Sequence, residues 1–176
     1  VAISAYNDVF EQLNAAVDSS FDQKTVSTWN LAGTVCADVS LSSLGIAFPK
    51  TLTIDYGSEC IDVEGISRTG KIVAVFSGNF RDENTTISVS FDEFSTGQYS
   101  LVGTDSITNI GIHGNRVFSE VLRNAVISWG NQKIRWNADL TRTWTDGYDT
   151  DFATDTFAGL NDDVFELTGS ASGNDS

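Results

Sequence analysis

The sequence is poor in several residue types that mark common kinds of site. It contains one proline, one histidine and two cysteines in 176 residues. With a single histidine, the cysteines cannot complete a zinc site at the usual spacing. No glycine-rich phosphate loop leads from a predicted strand into a helix, and no GxSxG motif is present, so neither nucleotide chemistry nor a nucleophile elbow is indicated. No apolar run is long enough for a transmembrane helix, and no signal-peptide pattern is found.

Basic residues are also scarce. Ten Lys and Arg stand against 24 Asp and Glu, which gives a formal net charge of −14. Phosphate backbones and anionic membrane surfaces attract proteins of the opposite sign, so we expect neither nucleic acid nor an anionic membrane as a partner. Cationic partners and metal ions remain open.

What the sequence does contain predicts a β-rich fold in one domain, 1–176. A helix is predicted at about residues 4–18, with Ser4 as N-cap, because apolar residues recur there at helical spacing. From about 27 to 172 the period is two, and short hairpin turns join consecutive strands. We therefore predict an all-β antiparallel meander, twisted or rolled, with the helix packed on one face. The predicted strands are Ser27–Val35, Lys50–Tyr56, Ser67–Phe80, Thr85–Phe94, Tyr99–Ile110, Arg116–Trp129, Gln132–Thr145 and Val164–Ala171.

Two strands carry unusual patterns. In the segment 133–145, one face is apolar except for Arg142, which interrupts it. In Lys71–Phe80 the residues on both faces are apolar, which predicts a central strand covered on both sides.

The cysteines Cys36 and Cys60 allow two interpretations. They are buried thiols in a reducing cytosol, or a single disulfide in an exported protein. We favour the disulfide, which would tie the first strands together.

The long acidic segment between the last two strands suggests calcium. Asp149, Asp151 and Asp155 begin like a calcium loop, but Ala153 occupies the third ligand position. A solvated acidic loop is the alternative. His113 lies in a predicted hairpin turn with no nucleophile nearby in sequence, and we predict no catalytic residue and no other cofactor.

Trp129, Trp136 and Trp144 lie on two neighbouring predicted strands. An exposed row of aromatic rings would bind a glycan or a peptide, whereas buried rings would fill the core. The apolar neighbours of Trp136 and Trp144 favour the core.

Several motifs resemble an uncharacterised family of Bacteroidetes (Flavobacteria-type) cell-envelope lipoproteins. They cover about two thirds of the chain and comprise Phe48–Gly57, Cys60, Arg68, Gly70–Ile72, Phe80–Asp82, Gly103–Asn109, Thr141–Trp144 and Asp162–Gly173. The resemblance implies export, β-structure and a lipid anchor at an N-terminus that this chain lacks. Family members continue with further strands after the last motif, so we expect truncation at the C-terminus. The resemblance implies no reaction.

The function that we expect from the sequence is non-catalytic. It is that of an exported accessory lipoprotein, periplasmic or on the cell surface, that binds a partner protein or a glycan, as part of an outer-membrane complex. An apolar-ligand or lipid carrier with a concave sheet and a carbohydrate-active hydrolase are the alternatives. Arg68 is expected to form a scaffold salt bridge with Asp55, Asp62 or Glu64.

Overall fold

The computed structural model describes residues 2–20, 29–30, 36–42, 47–62, 64–112, 115–147 and 164–175. Within them the chain forms helix α1 (Ala2–Ser20) followed by ten strands. The strands are β1 (Trp29–Asn30), β2 (Asp38–Leu41), β3 (Lys50–Asp55), β4 (Cys60–Ile61), β5 (Ser67–Phe76), β6 (Thr86–Thr96), β7 (Tyr99–Asn109), β8 (Val117–Trp129), β9 (Gln132–Asp146) and β10 (Val164–Asp175).

All strand pairs are antiparallel and belong to one sheet. Its order is β1-β2-β3-β5-β6-β7-β8-β9-β10, and the short β4 pairs with β5 beside β3. From β5 to β9, consecutive long strands joined by short turns lie side by side, as hairpin connections require. The sheet is open, since β1 and β10 are not paired in the described part of the chain. The predicted fold class, an antiparallel meander with an N-terminal helix, is confirmed.

Helix α1 covers one face of the sheet with its apolar side. Tyr6, Val9, Phe10, Leu13, Ala16 and Val17 are all buried. Tyr6 contacts Trp136 of β9 with ring centroids 5.5 Å apart, and Phe10 contacts Phe118 of β8 at 5.6 Å. Because the inward side chains of β2 to β9 meet this helix, the core lies between the helix and what we call the core face of the sheet. No helix among the described residues is long and apolar enough to span a membrane.

The start of the helix differs from the prediction. The helix begins at Ala2, so Ser4 lies inside its first turn and is not the N-cap. The first turn carries no acidic residue. Asp8 lies beyond that turn, and a contact with the sheet positions it, as described below.

Strand bounds also differ in places. Of the predicted strand Ser27–Val35 only Trp29–Asn30 is described as β1, and residues 31–35 lie outside the described ones. The sequence did not predict β2 or β4, which are four and two residues long. Such short strands give too few residues for a period of two to be visible.

The prediction that the β5 region is covered on both sides is wrong. Ile72, Ala74 and Phe76 are buried on the core face, but Val75 on the opposite face is 39% exposed. Helix α1 covers only one face, and the apolar outer residues of β5 therefore remain partly in solvent.

Candidate functional site

Three ionisable side chains lie inside the core where α1 crosses β7, β8 and β9. Asp105 is 2% exposed, Glu120 is fully buried, and Arg142 is 3% exposed. The three residues lie on one diagonal of the sheet. On β8, Leu122 is the cross-strand partner of Asp105, and Phe118 is the cross-strand partner of Arg142. Glu120 lies between these two partners, two residues from each. Diagonal neighbours of this kind are close enough for long side chains to meet. We call these three residues the core charge cluster.

Arg142 links the cluster to the helix. Its Nη2 donates hydrogen bonds of 2.9 Å to Oε2 of Glu120 and 2.9 Å to Oδ1 of Asn7. Its guanidinium also lies over the ring of Phe10, 4.2 Å from the ring centroid. The one interruption in the apolar pattern of β9 is therefore a contact between sheet and helix.

The cluster contains two carboxyl groups and one guanidinium. Among the described residues, Oδ1 of Asp105, Oε1 of Glu120 and Nε of Arg142 have no hydrogen-bond partner. Burial, together with the charge of Glu120, raises the pKa of Asp105 well above its ordinary value. Burial also raises the pKa of Glu120, although Arg142 opposes that shift.

Tyr6 of the helix adjoins the same cluster. Burial raises the pKa of its hydroxyl, and the charges of Asp105 and Glu120 add to that shift. The hydroxyl donates a 3.4 Å hydrogen bond to the carbonyl of Val102. The tyrosine is therefore neutral and presents a polar group beside Asp105.

A second buried ion cluster surrounds Arg68 of β5, which is 2% exposed. Its Nη2 lies 2.5 Å from Oδ1 of Asp8 on the helix, and its Nη1 lies 2.6 Å from Oδ2 of Asp62. Of the three partners expected from the sequence, the structure gives Asp62. Asp55 pairs with Lys71 at 2.8 Å, and Asp8, 60 residues from Arg68 in the chain, was not expected.

The predicted disulfide between Cys36 and Cys60 is confirmed, with a Cα–Cα distance of 5.4 Å. Cys60 lies on β4 directly opposite Arg68 on β5. The bond therefore fastens the segment before β2 next to the Arg68 ion cluster.

The three tryptophans do not form an exposed row. Trp136 and Trp144 are each 5% exposed and belong to the core, so their rings present no surface to a glycan or peptide. Trp129 is half-buried against Tyr99, with ring centroids 5.8 Å apart. All three residues lie on the core face of the sheet, where the alternation of their strands places them.

The calcium candidates Asp149, Asp151 and Asp155 lie outside the described residues, as does His113. In the part of the chain that the structure describes, no group of three or more His, Cys, Asp or Glu side chains could hold a metal ion.

Asp105 and Glu120 are the pair of carboxyl groups that would attract attention as glycosidase residues. Both are buried in the core, with Asp105 2% exposed and Glu120 0% exposed. Sequence reasoning missed both. The available signal was a charged residue at an inward position of a strand, which is visible for Glu120 between Phe118 and Leu122.

The last strand forms a long open edge. β10 pairs with β9 along its whole length of 12 residues, and among the described residues nothing pairs with its other side. From Thr168 to Asp175 every residue is exposed. The edge carries no Lys and no Pro, two residues that proteins use to block such edges.

A row of hydroxyl groups on the outer face of the sheet leads to this edge. Five residues on five neighbouring strands are direct cross-strand partners, namely Thr86, Thr108, Ser119, Thr141 and Thr168. The core-face residues of β10 beyond Leu167 are small, namely Gly169, Ala171 and Gly173. At the open edge, the outer face of the sheet therefore presents hydroxyl groups, and the core face of β10 carries only small residues beyond Leu167.

Comparisons with protein-family models, with curated proteins and with solved structures found no match to this chain.

Proposed function

We propose that this protein is an exported, non-catalytic accessory protein that binds an extended segment of a partner protein along the open edge of β10. The observation that carries the proposal is the exposed, unblocked 12-residue strand at the end of the sheet. Such an edge presents a row of free N–H and C=O groups, to which an incoming strand adds by main-chain hydrogen bonds.

The side chains around the edge define the segment that fits. Thr168 ends the hydroxyl row, and Thr or Ser opposite it would extend the row, since such cross-strand pairs stabilise a sheet. On the core-face side, Gly169, Ala171 and Gly173 leave room for larger apolar side chains. The net charge of −14 favours a segment with basic residues. The expected ligand is therefore an extended basic segment with Ser or Thr opposite Thr168 and large apolar residues opposite Gly169, Ala171 and Gly173.

Two features support this proposal over the alternatives. A carrier would offer the core face of the sheet to its ligand, but α1 occupies that face with seven buried apolar residues. A glycan-binding surface is typically aromatic, and Trp136 and Trp144 are buried. The disulfide supports export, because disulfides persist in oxidising compartments. Attachment to the outer membrane through a lipid remains a prediction from the family resemblance.

Proline substitutions in β10 test the proposal. Consecutive residues of a strand direct their N–H groups to opposite edges. Of Ser170→Pro and Ala171→Pro, one therefore removes a bond to β9 and loses stability, and the other removes only an N–H at the open edge. The variant that keeps wild-type stability should lose partner capture from an envelope extract. Ser170→Ala, which leaves the backbone intact, is the control and should retain capture.

Hydrogen exchange then locates the contact. The backbone amides of 168–175 that point to the open edge should become protected when the captured partner is added, whereas the alternate amides already bond to β9. Equal capture by the stable proline variant and the wild type would contradict the proposal. So would protection of these amides before any partner is added in a longer form of the protein, because a strand of that protein would then cover the edge.

A further inference from the structure

We propose that the core charge cluster is a proton-controlled latch for helix α1. A proton on Asp105 keeps the helix docked on the sheet, and its loss loosens the first half of the helix. This inference is independent of the binding function proposed for β10.

The cluster contains two carboxyl groups but only one cation. Arg142 is the one cation among the three side chains, and its 2.9 Å hydrogen bond to Glu120 assigns it to that carboxylate. Asp105 has no such partner, and its Oδ1 has no hydrogen bond among the described residues. An isolated carboxylate in a core is strongly unfavourable and takes up a proton instead. The docked helix therefore requires neutral Asp105.

Among the described residues that face Asp105, no second cation compensates its charge. From the helix, Tyr6 presents a neutral hydroxyl that is donated to Val102. From β8 the facing groups are Leu122 and the carboxyl of Glu120, and from β6 the cross-strand partner is Val89. Arg142 of β9 also acts on Asp105, but Glu120 lies between them on the diagonal and holds its Nη2. A second negative charge here is thus opposed by a single guanidinium.

Helix α1 responds to the charge of Asp105 because side chains in and beside the core charge cluster also hold the helix on the sheet. Asn7 accepts a hydrogen bond from Arg142, Phe10 lies under the guanidinium, and Tyr6 packs on Trp136. Moving this half of the helix outward would admit water to all three charged groups. Ionisation of Asp105 therefore favours a helix that is released from the cluster.

The sign of the pH dependence follows from linkage. The pKa of Asp105 is raised in the folded protein, so the docked state binds more protons than the released one. Docking is then strongest below the ordinary aspartate pKa of about 4 and weakens as pH rises through the raised value in the folded protein. Between these limits the docking equilibrium changes by up to about tenfold per pH unit.

Hydrogen exchange of the α1 amides over pH 4 to 9 tests the latch. After correction for the intrinsic exchange rate, protection of residues 6–13 in the wild type should fall by up to about tenfold per pH unit. Amides in the centre of β8 and β9 serve as the internal reference. In Asp105→Asn, which has the same shape and cannot ionise, protection of the helix should fall much less with pH, and the remaining dependence comes from the raised pKa values of Glu120 and of Glu11 on the helix. Asp139→Asn is the matched control, because Asp139 forms an exposed pair with Arg123 and should leave the wild-type profile unchanged.

A second variant separates the latch from a general loss of packing. In Glu120→Gln, Arg142 is free to pair with Asp105, so Asp105 should ionise at lower pH and the helix should remain protected as pH rises. A wild-type profile that is flat in pH, or one that Asp105→Asn shares, would overturn the proposal.

Discussion

Nη2 of Arg142 lies 2.9 Å from Oε2 of Glu120 inside the core, and each side chain is at most 3% exposed. Such a pair is costly to desolvate, and replacing both residues by apolar ones is often neutral. Removing one partner is different, because it leaves the other charge buried without compensation. The pair joins β8 to β9, and we expect a large loss of stability when one partner is removed but a small net change when both are replaced.

Arg142→Met should therefore lower the free energy of unfolding by about 3–5 kcal/mol near neutral pH, since Glu120 is then buried without its cation. The double variant Arg142→Met with Glu120→Leu should recover most of that loss. Urea unfolding followed by tryptophan fluorescence measures both. A single variant as stable as the wild type would show that the pair is not closed in solution.

Asp62, a partner of Arg68, gives a second prediction, in which its contribution to stability depends on pH. Burial tends to raise the pKa of Asp62, but hydrogen bonds from Arg68, Ile66 and Glu64 outweigh it and lower that pKa. Asp62→Asn should cost about 1.5–3 kcal/mol at pH 7, because a charged hydrogen bond is lost. Since the folded pKa is lowered, the contribution of Asp62 is complete above the ordinary pKa of about 4 and disappears as pH falls through the lowered value.

Urea unfolding at pH 7 and pH 3 checks this dependence, and the difference between variant and wild type should shrink at the lower pH. Asp55→Asn is the control, because Asp55 and Lys71 form an exposed pair of the kind that contributes little. If both variants lose the same stability, the burial of the Arg68 cluster has no energetic consequence.

The disulfide should contribute mainly through the unfolded chain. Its cysteines are 24 residues apart, and closing a loop of that size corresponds to about 3–4 kcal/mol. Replacing Cys36 and Cys60 together by Ala should lower the unfolding free energy by about that amount. Mass spectrometry with alkylation before and after reduction reports the bond directly. Two free thiols in untreated protein from the native source would contradict the bond and weaken the argument for export.

The fold could be predicted from the sequence where the alternation of apolar and polar residues repeats many times within one element. The periods of α1 and β9 each repeat several times, and Cys36 and Cys60 have only one possible pairing within the chain. Arg142 was visible as a break in the period of β9, but its partner was not. Asn7 is 135 residues away and Glu120 is 22 residues away, and these contacts depend on register and on where the helix crosses the sheet.

For the same reason, the ion-pair partners of Arg68 were only partly predicted. Asp62 is six residues from Arg68 and follows from the local β4–β5 turn. Asp8 is contributed by a helix that packs across the sheet, and no short-range pattern encodes that placement. β10 was predicted as a terminal strand with a missing neighbour, and the sheet order shows that its second edge is unpaired among the described residues.

Two glycines, Gly57 and Gly70, allow the cost of a left-handed backbone conformation to be separated from the cost of a close approach between strands. Gly57 and Gly70 both adopt positive φ, at 62° and 72°. Alanine at either position should cost about 1–2 kcal/mol for the left-handed conformation. A Cβ at Gly57 meets nothing within 4 Å, whereas one at Gly70 would collide with the backbone carbonyl of Glu93 on β6. Gly70→Ala should therefore lose a further 1–3 kcal/mol or so, because β5 and β6 must separate at their bulge.

Urea unfolding of Gly57→Ala and Gly70→Ala measures this difference directly, since the two changes share their chemistry and differ mainly in space. Hydrogen exchange should place the damage of Gly70→Ala in the amides around Lys71 and Asp92, which are cross-strand partners next to the bulge. Equal losses in the two variants would mean that β6 can move away from β5 at little cost. The close approach at Gly70 would then have no part in fixing the register that aligns the core face under α1.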